Sequence, residues 1–140
     1  MKRPRVRIYK RETIQAVMEA IDRPLSHIAA EVEGAAKRSM AGGGSEHMPS
    51  EPGTPPNVQT GNLRAQITHA RTERGSYIVG PTSMAPYGQT HEYGVYPYPD
   101  RPFMRPALEM TVQRVMNRFR NLNLANTPTG RRLNSRREKP

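Results

Sequence analysis

The chain contains no cysteine and no tryptophan, and only two phenylalanines in 140 residues. Without thiols there is no disulfide, no thiolate metal site and no cysteine nucleophile. No apolar run approaches the roughly 18–20 residues that a spanning helix requires, so no membrane contact of that kind is expected. The opening "MKRPRVRIYK" is basic but has no apolar block behind it, and does not read as a secretory signal. Synthesis in the cytoplasm is the expectation. Hydrophobic residues make up only 34% of the chain, which suits one domain with a modest core and irregular arms.

Chemistry-bearing patterns are also scarce. The four histidines, His27, His47, His69 and His91, show no pair at the spacing of metal ligands on a helix. His91 and Glu92 form the one couple in which a carboxylate could orient an imidazole, but no further group converges on them in the sequence. His91 therefore reads as a loop histidine. A phosphate-cradling loop, a nucleophile elbow and a paired acidic motif are all missing. No catalytic residue, metal ligand or cofactor is expected.

What is abundant is positive charge, and it is unevenly placed. The formal net charge is +10. Lys2, Arg3, Arg5, Arg7, Lys10 and Arg11 crowd one end, and Arg131, Arg132, Arg136, Arg137 and Lys139 the other, against Glu138 alone. Between them the charges cancel. Such ends suit contact with a polyanion, either nucleic acid or an acidic protein surface. No base-reading helix or aromatic RNA-binding motif accompanies them.

Periodicity organises the body. "RVRIY" over 5–9 alternates, placing Val6 and Ile8 on one face of a short strand. From Ile14 to Ala36 apolar residues recur at three- and four-residue steps, predicting a long helix kinked or split near Pro24, where Asp22 could cap a second segment. Residues 41–60, rich in glycine and proline, read as an exposed arm. "NLRAQITHA" and "SYIVG" flank a turn at 72–75 and predict an antiparallel hairpin, which the N-terminal strand or residues 93–98 would join. Leu108, Val112, Val115, Phe119 and Leu122 predict a second amphipathic helix. The expected fold is α+β: a small antiparallel sheet packed by a long N-terminal and a C-terminal helix. A single domain would span 1–124, with 125–140 a flexible basic tail.

The densest signal is "APYGQTHEYGVYPYPDRPFMRPALE" at 85–109, which holds five of the prolines and four of the six tyrosines. Proline fixes φ and extends the residue before it, so this connection is pre-stiffened. Tyrosine and arginine are also the side chains that concentrate at protein–protein interfaces. The competing reading is that the rings cover the protein's own sheet edge and core. Phe103 is the ring expected inside.

"PPNVQTGNLRAQI" at 55–67, "YIVGP" at 77–81, "APYGQTHEYG" at 85–94 and "RPFMRPALE" at 101–109 together resemble a bacteriophage family. Its members are known as neck, tail-completion or minor tail-component proteins of long-tailed phages. The resemblance implies a non-catalytic structural protein of the virion at the head–tail junction, made in the host cytoplasm during assembly. It implies a homo-oligomeric ring, six-fold or twelve-fold. Its partners would be a head connector or closure protein and a tail terminator or tail tube protein, with genomic DNA passing through the lumen as a further candidate. By matched position, Gly61, Gly80 and Gly94 would supply unusual backbone angles or close approach, and Leu63, Phe103 and Leu108 would pack the core. Arg64, Arg101 and Arg105 would pair with Glu92 or a neighbouring subunit. The interface expected joins Arg64, Tyr87, Glu92, Tyr93, Tyr96, Tyr98, Arg101 and Arg105. Contact with a polyanion or acidic partner falls to Lys2, Arg3, Arg5, Arg7, Arg131, Arg132, Arg136 and Arg137. The alternative is a small nucleic-acid-binding protein without sequence specificity. A hydrolase built on His91 and Glu92 has the least support.

Overall fold

One helix, α1 (Lys10–Ser39), is the spine of the computed structural model, which describes residues 10–40, 48–120 and 126–137. The helix is not split at Pro24, which lies inside it. Proline there removes one backbone bond, but packing on both sides holds the helix together. Asp22 is not a cap. Its carboxylate accepts the Gly75 N–H at 3.3 Å and pairs with Arg71 at 3.0 Å, tying the middle of α1 to the hairpin tip.

The hairpin is β1 (Ile67–Glu73) and β2 (Ser76–Pro81), antiparallel, with Ile67 opposite Pro81, His69 opposite Val79 and Arg71 opposite Tyr77. Residues 62–66, expected as strand, instead form a short helix, α2 (Asn62–Gln66). Leu63 and Ile67 are four apart, a spacing that fits one helix face as well as one strand face. Local bonding decides for helix: Gly61 turns at φ 79°, and its carbonyl accepts the Ala65 N–H at 2.9 Å.

The remaining helices are α3 (Gly88–Tyr93), α4 (Met104–Arg120) and α5 (Pro128–Arg137). The core joins Ile28, Val32, Ala36 and Met40 of α1 to Ile67 of β1 and to Phe103, Ala107 and Val115 at and along α4. Helices α1 and α4 and the hairpin thus make an α+β domain. Among the described residues the sheet has two strands. Residues 93–98 do not join it, forming only a bridge between Val95 and Tyr98. The proposed strand at 5–9 lies outside the described residues. No described helix is long and apolar enough to cross a membrane.

Three expectations are corrected here. Leu108 and Val112 are exposed, because α4 turns the adjacent stripe Phe103, Ala107, Thr111 and Val115 toward α1. The arm is only partly exposed over residues 48–60: Pro56 is buried, Val58 packs on the core, and the Asn57 amide donates to the Met48 carbonyl at 3.1 Å. The C-terminal segment is not a loose tail over 126–137 but the helix α5. Thr127 caps it, its hydroxyl accepting the Gly130 N–H at 2.9 Å, and Pro128 occupies the first helical position. Glu19 then anchors α5 to α1, accepting the Thr129 N–H at 3.1 Å and its hydroxyl at 2.8 Å.

Candidate subunit interface

The stiff connection is held at its root by Glu92. One carboxylate oxygen accepts the N–H groups of Phe103 and Met104, and the other that of Arg105, each at 2.9 Å. These are backbone donors at the start of α4 that no helical carbonyl can satisfy, so a carboxylate from α3 caps α4 across 10 intervening residues. Within the subunit both Glu92 oxygens are thus engaged by the start of α4 and not by Arg64, Arg101 or Arg105, the arginines expected as its partners. The sequence distance hid this role, since ordinary caps lie within the first turn.

Between α3 and α4 the chain is clamped again. Gly94 turns at φ 69° and donates to the Thr90 carbonyl at 2.9 Å. Val95 and Tyr98 exchange both backbone bonds, at 3.0 and 2.6 Å. Arg101 donates its N–H to the His91 carbonyl at 2.6 Å and its Nε to the Ser50 carbonyl at 3.0 Å, while Gly53 N–H meets the Asp100 carbonyl at 2.9 Å. Arg101 is thus half-buried and internal, joining the loop to the 48–60 arm.

Above these clamps the apolar surface points out. Tyr96 is 98% exposed, Tyr93 and Tyr98 each 66%, and Val95 58%. Tyr87 is less open. Its hydroxyl accepts the Asn62 amide at 2.9 Å, and its ring stands edge-on to His91 with centroids 6.0 Å apart. Arg64 and Arg105 are exposed on α2 and α4. Phe103 is fully buried, as expected. Burial, followed by the charge of Arg101, pushes His91 below the usual histidine range. With both oxygens of Glu92 engaged by α4, His91 and Glu92 do not form an orienting couple.

Two of the three predicted glycine roles hold. Gly61 and Gly94 have positive φ, but Gly80 does not, and a Cβ there would meet nothing within 4 Å. The close approach is at Gly88, where a Cβ would come within 2.7 Å of Pro81.

Of the basic ends, Arg131 and Arg132 are exposed on α5, with Arg136 and Arg137 at its close. Lys2, Arg3, Arg5 and Arg7 lie outside the described residues. Sequence reasoning missed the cluster that fastens β1 to α1: Glu33 accepts from Lys37 at 2.5 Å and meets His69 Nδ1 at 2.6 Å. Lys37, and next His69, hold the Glu33 carboxyl below its ordinary range. The i,i+4 spacing of Glu33 and Lys37 was a readable signal, whereas nothing local announces His69. No protein-family model, curated protein or solved structure matches the chain significantly.

Proposed function

We propose that this protein is a structural component of a tailed-phage neck, forming or completing a ring that joins the head connector to the tail. The observation that carries the reading is the outward display of Tyr93, Tyr96 and Tyr98 on a loop fixed at both ends. A loop already ordered in the free subunit loses little entropy on assembly, and tyrosine contributes large contact area with few rotatable bonds. The ordered motifs from residue 55 to residue 109 support the same reading through the family they resemble. A ring requires two different faces that complement each other. The test is Tyr96→Ser with Tyr98→Ser in the full chain. Loss of rings by electron microscopy and analytical ultracentrifugation, and loss of head–tail joining in vitro, is expected. Rings and joining as in the unaltered protein would overturn the proposal.

The nucleic-acid reading keeps one supporting observation, the exposure of Arg131 and Arg132 on α5 together with the net charge of +10. DNA binding that weakens steeply with salt, from a chain that never self-associates, would favour it.

A further inference from the structure

We infer that the outer edge of β2 takes an added strand from residues 5–9 of a second copy of this chain. The phase of the hairpin shows which backbone groups are available. Thr82 N–H donates to the Gln66 carbonyl at 3.0 Å, and the register pairs Thr68 with Gly80 and Ala70 with Ile78. In an antiparallel pair, hydrogen-bonded and non-bonded positions alternate. Residues 78, 80 and 82 therefore direct their backbone groups to β1. Tyr77 and Val79 direct both N–H and C=O the other way, and Pro81 its C=O. Among the described residues no strand lies on that side.

Beside this edge is a groove of about 690 Å³. It is lined by residues 77–81, by Tyr93, Met104 and Leu108, and by the buried Val32 and Phe103, with Glu92 and Arg105 the charged members of the lining. The hairpin and α4 each pack on α1, and the space between them is left open. Ile78, 61% exposed, and Leu108, 49% exposed, flank it, and the open space over Gly80 adjoins it. An unpaired edge above an apolar groove is the arrangement that accepts an extended segment, with main-chain bonds along the edge and alternate side chains in the groove.

Two segments outside the described residues alternate in the matching way, and "NLNLA" at 121–125 is committed at both ends to joining α4 to α5, which leaves "RVRIY" at 5–9. In "RVRIY", Val6 and Ile8 share a face while Arg5, Arg7 and Tyr9 take the other, so the apolar pair can enter the groove with the arginines in solvent. Pro4, which cannot donate to a ladder, would stand just before the first residue of such a strand.

Reach decides whose segment it is. Asp22 sits at the hairpin tip, against Gly75 and Arg71, while Glu33 sits farther along at His69. Going from residue 33 to residue 22 therefore runs toward the tip, and continuing to Lys10 runs past it. Met18 and Glu19 also meet the tip, at Gly75 and Arg74, so at 1.5 Å per helical residue Lys10 is about 12–18 Å beyond it. Ile8 can return from Lys10 by only about 7 Å. It cannot lie beside Val79 of its own copy, so the donor is another copy. Because donor segment and acceptor groove are different surfaces, the contact propagates from copy to copy. The inference does not require a virion role: it stands or falls on the contact between copies.

The absence of cysteine allows a clean test. Proteins carrying Ile8→Cys or Val6→Cys are mixed with proteins carrying Val79→Cys or Tyr77→Cys under mild oxidation, with Ile14→Cys on exposed α1 as the control. Disulfide-linked pairs at least tenfold more abundant for 6 or 8 with 77 or 79 than for the control are expected. No preference over the control overturns the inference. In parallel, Val6→Asp with Ile8→Asp should raise the concentration for half-association at least tenfold by analytical ultracentrifugation, with helix content and melting temperature unchanged. An unaltered protein that stays monomeric, or a variant that associates as the unaltered one does, also overturns it. Cross-linking that persists where the tyrosine variants abolish rings would sink neither proposal, and cross-linking in a protein without any neck function would sink only the first.

Discussion

At the scale of single residues, Glu92 does more than any tyrosine to shape the proposed surface. It satisfies three backbone donors with one side chain, where an ordinary cap satisfies one. Glu92→Ala leaves those donors at the mouth of α4 without protein partners and should lower stability by about 2 kcal/mol, measured by urea unfolding. Glu92→Gln keeps an acceptor but loses the charge at the helix terminus, and should cost about 1 kcal/mol. Equal stability of all three proteins would refute the capping role. Gly94 sets the other end of the loop. At φ 69° an added Cβ is strained and would come within 2.8 Å of the Asp100 nitrogen, so Gly94→Ala should destabilise by about 1–3 kcal/mol. Glu33 gives a pH signature. Its carboxyl is held below the ordinary 4.5 by Lys37 and then His69, so the stabilisation is present above the unfolded value and drains as pH falls through the folded one. Stability of the unaltered protein should thus rise with pH across the range just below about 4.5 more steeply than that of Glu33→Gln. Parallel stability–pH curves for the two would discard that linkage. The Glu92 cap and the Glu33–His69 contact could not be read from one position, because in each the partner arrives from a different element.

At the scale of elements, legibility followed the range of the interactions. The 3.6-residue repeat marked α1 and α4, and alternation with a Gly-containing turn marked the hairpin, because those patterns are local. Which stripe of α4 faces α1 was not local. Leu108 and Val112 look more hydrophobic than Ala107 and Thr111, yet the smaller pair is buried, because small side chains let α4 approach α1 closely. The continuity of α1 through Pro24 was likewise a tertiary outcome, while α2 was lost in a spacing shared by helix and strand. Helix α5 did have a local signal, Thr127 followed by Pro128, masked by its low apolar content and high charge. Its position depends on Glu19, whose carboxyl is held below the ordinary range by the Thr129 N–H, then by the Thr129 hydroxyl. Glu19→Ala should therefore loosen α5 without unfolding the rest. Trypsin should cut at Arg131 and Arg132 at least several-fold faster, and amides of α5 alone should exchange faster. Unchanged protection of α5 would mean that other contacts with α1 hold it.

At the scale of the whole molecule, two kinds of surface are segregated. The tyrosine loop and the β2 edge are apolar or hydrogen-bonding, and the body between the basic ends has balanced charge, whereas the excess cations lie at the two ends of the chain. The two should respond oppositely to salt. Burial of apolar and tyrosine surface is not weakened by ordinary salt, so self-association should persist between about 0.1 and 0.5 M. Contact of the ends with a polyanion releases counterions and should fall steeply over the same range. Deleting residues 125–140 would confuse the two, because it strips Thr129 from Glu19 and uncovers α1 where α5 packs. Charge has to be removed with the helix left in place. Arg131→Gln with Arg132→Gln does so at two exposed positions on a helix whose cap and anchor, Thr127 and Thr129, are untouched. The double variant should bind a short DNA duplex several-fold more weakly at 0.1 M salt and show a shallower dependence of log affinity on log salt, by about one to two units of slope. Its self-association should match that of the unaltered protein. A matching decline in both would show that α5 belongs to the contact between copies, and DNA affinity unchanged at every salt concentration would remove these arginines from any polyanion contact.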